Sequence, residues 1–578
     1  MKSLIYTGAS ALALAAAAPA FAQATVPPAC VGATGNCSVV NTNGSGNSVA
    51  VDQSAGTGNV SDIVQSGDNL DASVTQGADN NISNVDQEAT GATPIDTAAT
   101  VNQVGGADSV ITQASSGDNA SGIVADVLQD GASTSDVAQV SSGNDSVLIS
   151  STVTQTGDAN ASIILQNDVG FDSAVLEVEV EQEGTGNLAD VNQSGTDNLA
   201  TVFQQADDGV AVIIQADELQ DADIQQAGDL NEAGIDQSNL GNTAAILQTG
   251  DENLATVTQT GEDALAAVTQ TGLGNDADVA QAGAFNEATV IQTGDDNIAV
   301  VDQATGSVEG FSSANIQQDG VSGSATINQN DDANGEFALI LQGVDTDTNT
   351  ATITQTGAVA SLSTNEALID QVSGEGNVSL IVQGDTTSVG GVVENGVLNV
   401  AESTQDGDFN DSIIGQGGVS QVAFVDQIGS DNVSQVFQGT LGGDGNTANV
   451  TQTGTGLGLS TSQVFQDGNG NEATLTQGGG ELNASVIDQG LGGGDNNLAD
   501  VTQDGSENDS EVLQNAFSIG ADNIATVLQE GIGNVSLIEQ DGDLNNASVS
   551  QYDGSSSTVF QDGTGNTATV TQGAPGAL

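Results

Sequence analysis

The sequence predicts an all-β fold: a β-solenoid of about 22 coils, two short strands per coil, with cross-β stacking and Asn/Gln ladders inside. Three observations predict it. Gln recurs every eleven residues, at Gln248, Gln259, Gln270, Gln281, Gln292 and Gln303. Asn precedes it by six, at Asn242, Asn253, Asn275, Asn286 and Asn297, with Ala264 in the remaining slot. Between the two, apolar and polar residues alternate with the period of a strand.

Composition narrows the function before any motif is read. The chain has 578 residues, 78 acids, one Lys or Arg, no His and 75 Gly, for a net charge of −77. Phosphate binding needs Lys or Arg, so nucleic acid and anionic membrane surfaces are excluded as partners. No nucleophile–base pair can be built without His or Lys. Carboxylate pairs alone can hydrolyse glycosides, but none is singled out, and only 2% of residues are aromatic. No catalytic residue is predicted, and the expectation is not an enzyme.

Residues 1–22 read as a secretory signal peptide: Lys2, an Ala-rich apolar stretch, then Ala20-Phe21-Ala22 as a small-x-small cleavage site. Its cleavage would leave no basic side chain. A membrane anchor is the alternative, but the apolar stretch is short and Ala-rich, and no later run reaches the 18 or so apolar residues of a membrane helix. The expectation is therefore export with no membrane insertion. Residues 23–45 read as a leader holding Cys30 and Cys37. Export favours a disulfide between them; a metal pair is the rival, without His or further Cys to complete it.

Residues 46–573 are the repeats. Following Gln from Gln53 to Gln572 gives about 44 units, with Glu394 counted as a substituted Gln. Parity explains each unit. Asn253, Ala255, Val257 and Gln259 are spaced by two, so in a strand they share one face. The apolar pair makes that face interior, and the amides go with it. A lone buried amide costs about 1–3 kcal/mol. Stacked coils remove that cost, because each Gln can bond the Gln above and below at the ~4.8 Å strand spacing. Gly and Asp between units, as in Gln292-Thr-Gly-Asp-Asp-Asn297, supply turns. Asn566 and Gln572 close the last unit, and 574–578 is a tail. A disordered polar repeat would not need strict alternation. A helix would not tolerate Gly in every unit.

From Gln87 to Gln193 every second step is 16 residues long. With two arcs per coil, the extra residues emerge at one edge, as a binding edge or as tolerated surface loops. Acids fall in turns, as Asp251, Asp295 and Asp408, or outward before Gln, as Asp236, Asp302 and Asp370. They seldom repeat at one slot in successive units. Two readings stand: they keep the exported chain soluble, or they gate assembly by pH, salt or calcium. Calcium is the one cofactor considered; Gly492-Gly-Gly-Asp-Asn-Asn497 is similar to calcium-binding nonapeptide repeats but isolated and off their period. Phe203, Phe437, Phe465 and Phe560, with Leu247, Ile291 and Leu513, precede repeat Gln residues and face out, either as lateral contact patches or as scattered surface apolars.

The unit resembles the curlin repeat, Ser-x5-Gln-x4-Asn-x5-Gln with Gly in the x4 turn. Gln248-Thr-Gly-Asp-Glu-Asn253 followed by Gln259 matches its latter part; Ser460 with Gln466 and Ser555 with Gln561 keep the Ser. The resemblance covers about residues 46–573. It implies a secreted subunit of extracellular amyloid fibres that support biofilm and adhesion. It also implies self-association, export through an outer-membrane pore, a nucleator subunit and a leader in 23–45 that engages the secretion apparatus. The expected function is a structural fibre subunit, secreted through the periplasm to the cell surface or beyond. The alternative is a monomeric solenoid adhesin, whose end coils should be capped. Only six residues follow Gln572, which favours end-to-end growth. Outward Thr pairs such as Thr256 and Thr258 suggest ice binding, but they are too irregular for a lattice and Thr simply suits strands.

Overall fold

The computed structural model describes residues 24–90, 96–116, 122–142, 148–168, 175–304, 311–330, 335–356, 365–384, 398–439, 443–454, 459–490, 494–515 and 520–573. The predicted signal peptide and tail lie outside the described residues, as do the long connections of the sixteen-residue steps. Every element in the described residues is a strand: 44 of them, numbered β1 to β44 in chain order. At two strands per coil they match the expected count of coils.

The chain forms two compact units, residues 1–279 and 280–578. In the first, the odd-numbered strands from β1 (Cys37–Asn43) to β19 (Leu254–Gln259) form one parallel sheet. The even-numbered strands from β2 (Ser48–Asp52) to β20 (Leu265–Thr271) form the other. The second unit repeats the plan, with odd strands from β23 (Ile298–Ala304) to β43 (Ser556–Thr564) and even strands from β22 (Glu287–Gln292) to β44 (Thr567–Gln572). The solenoid is therefore all-parallel, each arc crossing from one sheet to the other.

Register follows parity. β17 (Glu232–Gln237) lies beside β19 with Ala233 opposite Ala255, Ile235 opposite Val257 and Gln237 opposite Gln259. β18 (Thr243–Thr249) lies between β16 (Asp221–Ala227) and β20, so that Gln226, Gln248 and Gln270 form one row. The Ala and Val or Ile rows are fully buried between the sheets. Each buried Val or Ile contributes about 1.5–3 kcal/mol, and the small Ala row lets the sheets approach.

Coil length varies without disturbing the rows. Gln87 and Gln113 are 26 residues apart, Gln371 and Gln405 are 34 apart, and both pairs are bonded. Gln383 lies in β29 (Val378–Gln383) and Gln405 in β30 (Val400–Asp406), strands of opposite sheets. They are thus consecutive rungs, and Glu394, counted as a rung from spacing alone, lies outside the described residues. The count is completed by β1, which carries Thr42 opposite Gln65. Strand pairing therefore begins at Cys37, inside the segment read as a leader. Cys30 and Cys37 are disulfide-bonded, Cα atoms 5.7 Å apart.

Turn geometry explains the glycines. Gly250, two residues after Gln248, has φ +111°, and a Cβ there would overlap the carbonyl oxygen of Gly272 in the next coil. Among the described residues, the residue before a ladder Asn is left-handed. It is Gly at Gly241 and Gly274 but Leu at Leu230 (φ 59°) and Glu at Glu252 (φ 59°).

Candidate functional site: the amide ladders and their ends

The Gln ladder is directional. Nε2 of Gln226 donates to Oε1 of Gln248 at 2.9 Å, and Nε2 of Gln248 donates to Oε1 of Gln270 at 2.9 Å. On the facing sheet Gln237 donates to Gln259 at 2.9 Å. In the second unit Gln281 donates to Gln303, and Gln303 to Gln329, both at 2.8 Å, while Gln292 donates to Gln318 at 2.9 Å. Each of these rungs points toward the C-terminal coil.

The second Nε2 hydrogen has a use that spacing does not reveal. Gln248 donates to the carbonyl of Glu232 at 3.0 Å, Gln259 to Thr243 at 3.0 Å, Gln270 to Leu254 at 2.8 Å and Gln303 to Glu287 at 3.1 Å. Each acceptor is the first residue of the preceding strand, in the opposite sheet. One amide thus binds the next coil and ties the two sheets together. At about 0.5–1.5 kcal/mol net per bond, a rung contributes mainly by leaving nothing buried and unpaired.

The Asn ladder differs from an amide-to-amide stack, because it runs chiefly through the backbone. Asn242 donates to the carbonyls of Ser238, in its own turn, and Gly261, in the next, at 2.7 and 2.9 Å, and accepts from the amide of Ala264 at 2.9 Å. Ala264 can therefore occupy an Asn slot without costing Asn242 a partner. The Oδ1 of Asn253 accepts both the backbone N–H and the Nδ2 of Asn275, at 3.1 and 3.2 Å. Asn286 donates to Ala282 at 2.8 Å, and Asn297 donates to Gly320 and accepts from Gly323, both at 2.9 Å. Asn thus clamps turns. After three of the sixteen-residue steps the slot is apolar: Ile123, Ile149 and Leu176 form one buried cluster in successive coils.

Acids follow two rules. In turns a carboxylate caps the preceding coil: Asp207 accepts from the amide of Thr185 at 2.7 Å, Asp229 from Asp207 at 3.1 Å and Asp251 from Asp229 at 2.9 Å. This run of three corrects the expectation that acids seldom repeat at one slot; each charge-assisted bond, worth about 1.5–3 kcal/mol, outweighs a like-charge repulsion of about 1 kcal/mol in water. On sheet faces, burial raises the carboxyls of Asp236, Asp302 and Asp370 above the usual range. Asp488 is pushed up to about 6, by burial first and then by the carboxylates of Asp467 and Glu511. Among the described residues no group of three or more His, Cys, Asp or Glu is placed to hold a metal ion.

The two end coils break the pattern. In the last described coil, Gln561 donates to Asn546 at 3.1 Å and Gln572 to Ser556 at 2.8 Å, the bonds to the opposite sheet. Among the described residues neither donates onward to another Gln. Asn566 donates to Asn545 at 2.9 Å. Ala568, Val570 and Gln572, inward by parity, are half-exposed. At the other end Gln53 donates to Gln76 at 2.6 Å, while Oε1 of Gln65 is buried with no partner because Thr42 stands in the Gln slot.

Residues 176–216, 241–272, 274–304 and 520–552 match the model of the curlin associated repeat. No curated protein matches the chain.

Proposed function

We propose that this chain, which carries curlin repeats in a β-solenoid, is a secreted structural subunit that stacks end to end into extracellular fibres for matrix and surface adhesion. One observation carries the reading: the ladder is polar, with donor amides at one end and an acceptor end at the other. Placed end to end in register, the last coil of one copy meets the first coil of the next slot by slot. Ser557 meets Ser38 and Val559 meets Val40; Asn566 meets Asn47, Val570 meets Val51 and Gln572 meets Gln53. Such a junction repeats the bonds found inside the molecule except at Gln561, which meets Thr42. Curlin repeats and solenoids are structural, and the proposal assigns no catalytic role. Export through an outer-membrane pore, a nucleator subunit, and gating by pH, salt or calcium belong to the same proposal.

A second reading, a monomeric solenoid adhesin, is favoured by Thr42, which leaves one rung of any such junction mismatched. Negative-stain electron microscopy of the purified mature chain over time separates the two. Unbranched fibres whose elongation slows severalfold in a Gln561→Leu/Gln572→Leu variant support the fibre reading. Discrete particles at every time point, with and without calcium, refute it and leave the adhesin.

A further inference from the structure

In the central part of the second unit, charge is distributed unevenly between the two sheet faces. Six neighbouring odd strands are β25 (Ser324–Asn330), β27 (Thr350–Thr356), β29, β31 (Asp411–Gln416), β33 (Asn432–Gln438) and β35 (Ser460–Gln466). Each has three outward positions between its Asn and Gln slots, eighteen in all, and only Asp411 among them is charged. On the opposite sheet, the six strands from β26 (Phe337–Asp347) to β36 (Glu472–Gly478) also have eighteen such positions, and five are acids: Glu366, Asp370, Glu402, Asp426 and Glu472.

The centre of the neutral face is stacked in register. The pentapeptide Ser-Gln-Val-Phe-Gln occurs at 434–438 and again at 462–466, on adjacent strands. Outward, Gln463 donates to Gln435 at 2.9 Å, and the rings of Phe437 and Phe465 stack 5.6 Å apart at 16°. Gly415 makes room beside them: a Cβ there would lie 2.9 Å from a ring carbon of Phe437. Leu380 and Ile413 continue the Gln435 row.

We propose that this face is a lateral contact between copies of this chain. A molecule with 78 acids and Lys2 as its one base repels its own copies wherever carboxylates face each other. A contact through the acidic face would oppose five acids to five and strip their water. Of these two six-strand faces, the neutral one avoids both costs. Its flat rows of amide and aromatic side chains are the form that two identical sheets can interdigitate without water. Six strands at ~4.8 Å by about 17–20 Å of strand give roughly 500 Å² per copy, short of the ~800 Å² per partner of a stable pair. One such contact is weak; many in a filament add up by avidity. The inference therefore rests on the fibre reading.

The test compares the mature wild-type chain with Phe437→Glu/Phe465→Glu, and with Phe424→Glu on the acidic face as control. All three sites are outward, and unchanged circular dichroism checks the fold. Should the double variant not fold, Gln435→Glu/Gln463→Glu replaces it. Electron microscopy reads elongation and bundle width separately. Expected are wild-type elongation and single filaments for the double variant, and wild-type bundles for Phe424→Glu. Equal bundle widths overturn the proposal, as does loss of elongation, which would place the face in growth. Filaments that bundle unchanged yet lose binding to a neutral polysaccharide in the double variant also overturn it. If the wild type forms no filaments, the fibre reading fails separately. Sedimentation equilibrium then decides: concentration-dependent association lost in the double variant supports the face, and equal behaviour overturns it.

Discussion

Replacing Gln248 by Leu removes one rung at nearly constant volume. Gln248 is fully buried and has four partners: it accepts from Gln226 and donates to Gln270, Glu232 and Asn253 at 2.9–3.0 Å. Leu strands one hydrogen of Gln226, which keeps its bond to Val210 at 2.9 Å, and the Oε1 of Gln270. Two buried groups without partners cost about 1–3 kcal/mol each, so the expected loss is about 3–4 kcal/mol. Global melting is a poor readout, because repeat arrays lose cooperativity when long. Native-state hydrogen exchange of β16, β18 and β20 is the assay, and about 3 kcal/mol means roughly hundredfold faster exchange there. Gln248→Glu gives the signature. A buried carboxyl has its pKa raised, so its penalty is full above that value and shrinks as pH falls through it. Once protonated it accepts from Gln226 and donates to Gln270, restoring the rung. The outward Thr269→Ala is the control. Exchange in Gln248→Leu within about twofold of that control, or no recovery of Gln248→Glu on acidification, would refute the reasoning.

Gly250→Ala meets both a positive φ and the carbonyl of Gly272, so native-state hydrogen exchange of the flanking strands should report a local loss above about 2 kcal/mol. Leu230→Gly relieves a left-handed Leu and should gain about 0.5–1 kcal/mol by the same measurement. Asp488 lies in β37 (Ala484–Gln489) with a folded pKa of about 6 against an ordinary 3.8, so its charge destabilises above pH 6. Hydrogen exchange around β37 should slow as pH falls from 7 to 4, after correction for intrinsic rates, by roughly 1–2 kcal/mol, and Asp488→Asn should abolish that dependence. Reducing the Cys30–Cys37 disulfide should loosen β1 by about 2 kcal/mol, read as faster exchange confined to the first coils.

Much of this was legible because a solenoid is nearly one-dimensional. The interval between Asn253 and Gln259 sets the strand, and the step from Gln248 to Gln270 sets the coil. Spacing failed at Glu394, where even steps of eleven conceal a connection between Gln383 and Gln405. It failed at Thr42, which keeps the slot but not the amide. The Asn ladder was legible, as in the bond from Asn275 to Asn253; its second use as a turn clamp was not, because it arises from Asn, one methylene shorter than Gln, reaching its own backbone.

The sequence by itself determined the period, the inward face, the parallel stacking and the burial of amides, because alternation is local and identical coils repeat every neighbour. Only the tertiary structure decided the rest. The second hydrogen of Gln248 goes to Glu232 because the opposite sheet passes within reach. Asp488 rises toward 6 because the folded stack buries it and then brings Asp467 and Glu511 beside it from other arcs. The neutral face of β25–β35 exists because Gln383 and Gln405 are consecutive rungs; a rung at Glu394 would have sent β31, β33 and β35 to the other sheet. These depend on which distant arcs become neighbours, a property of the folded stack and not of any one unit.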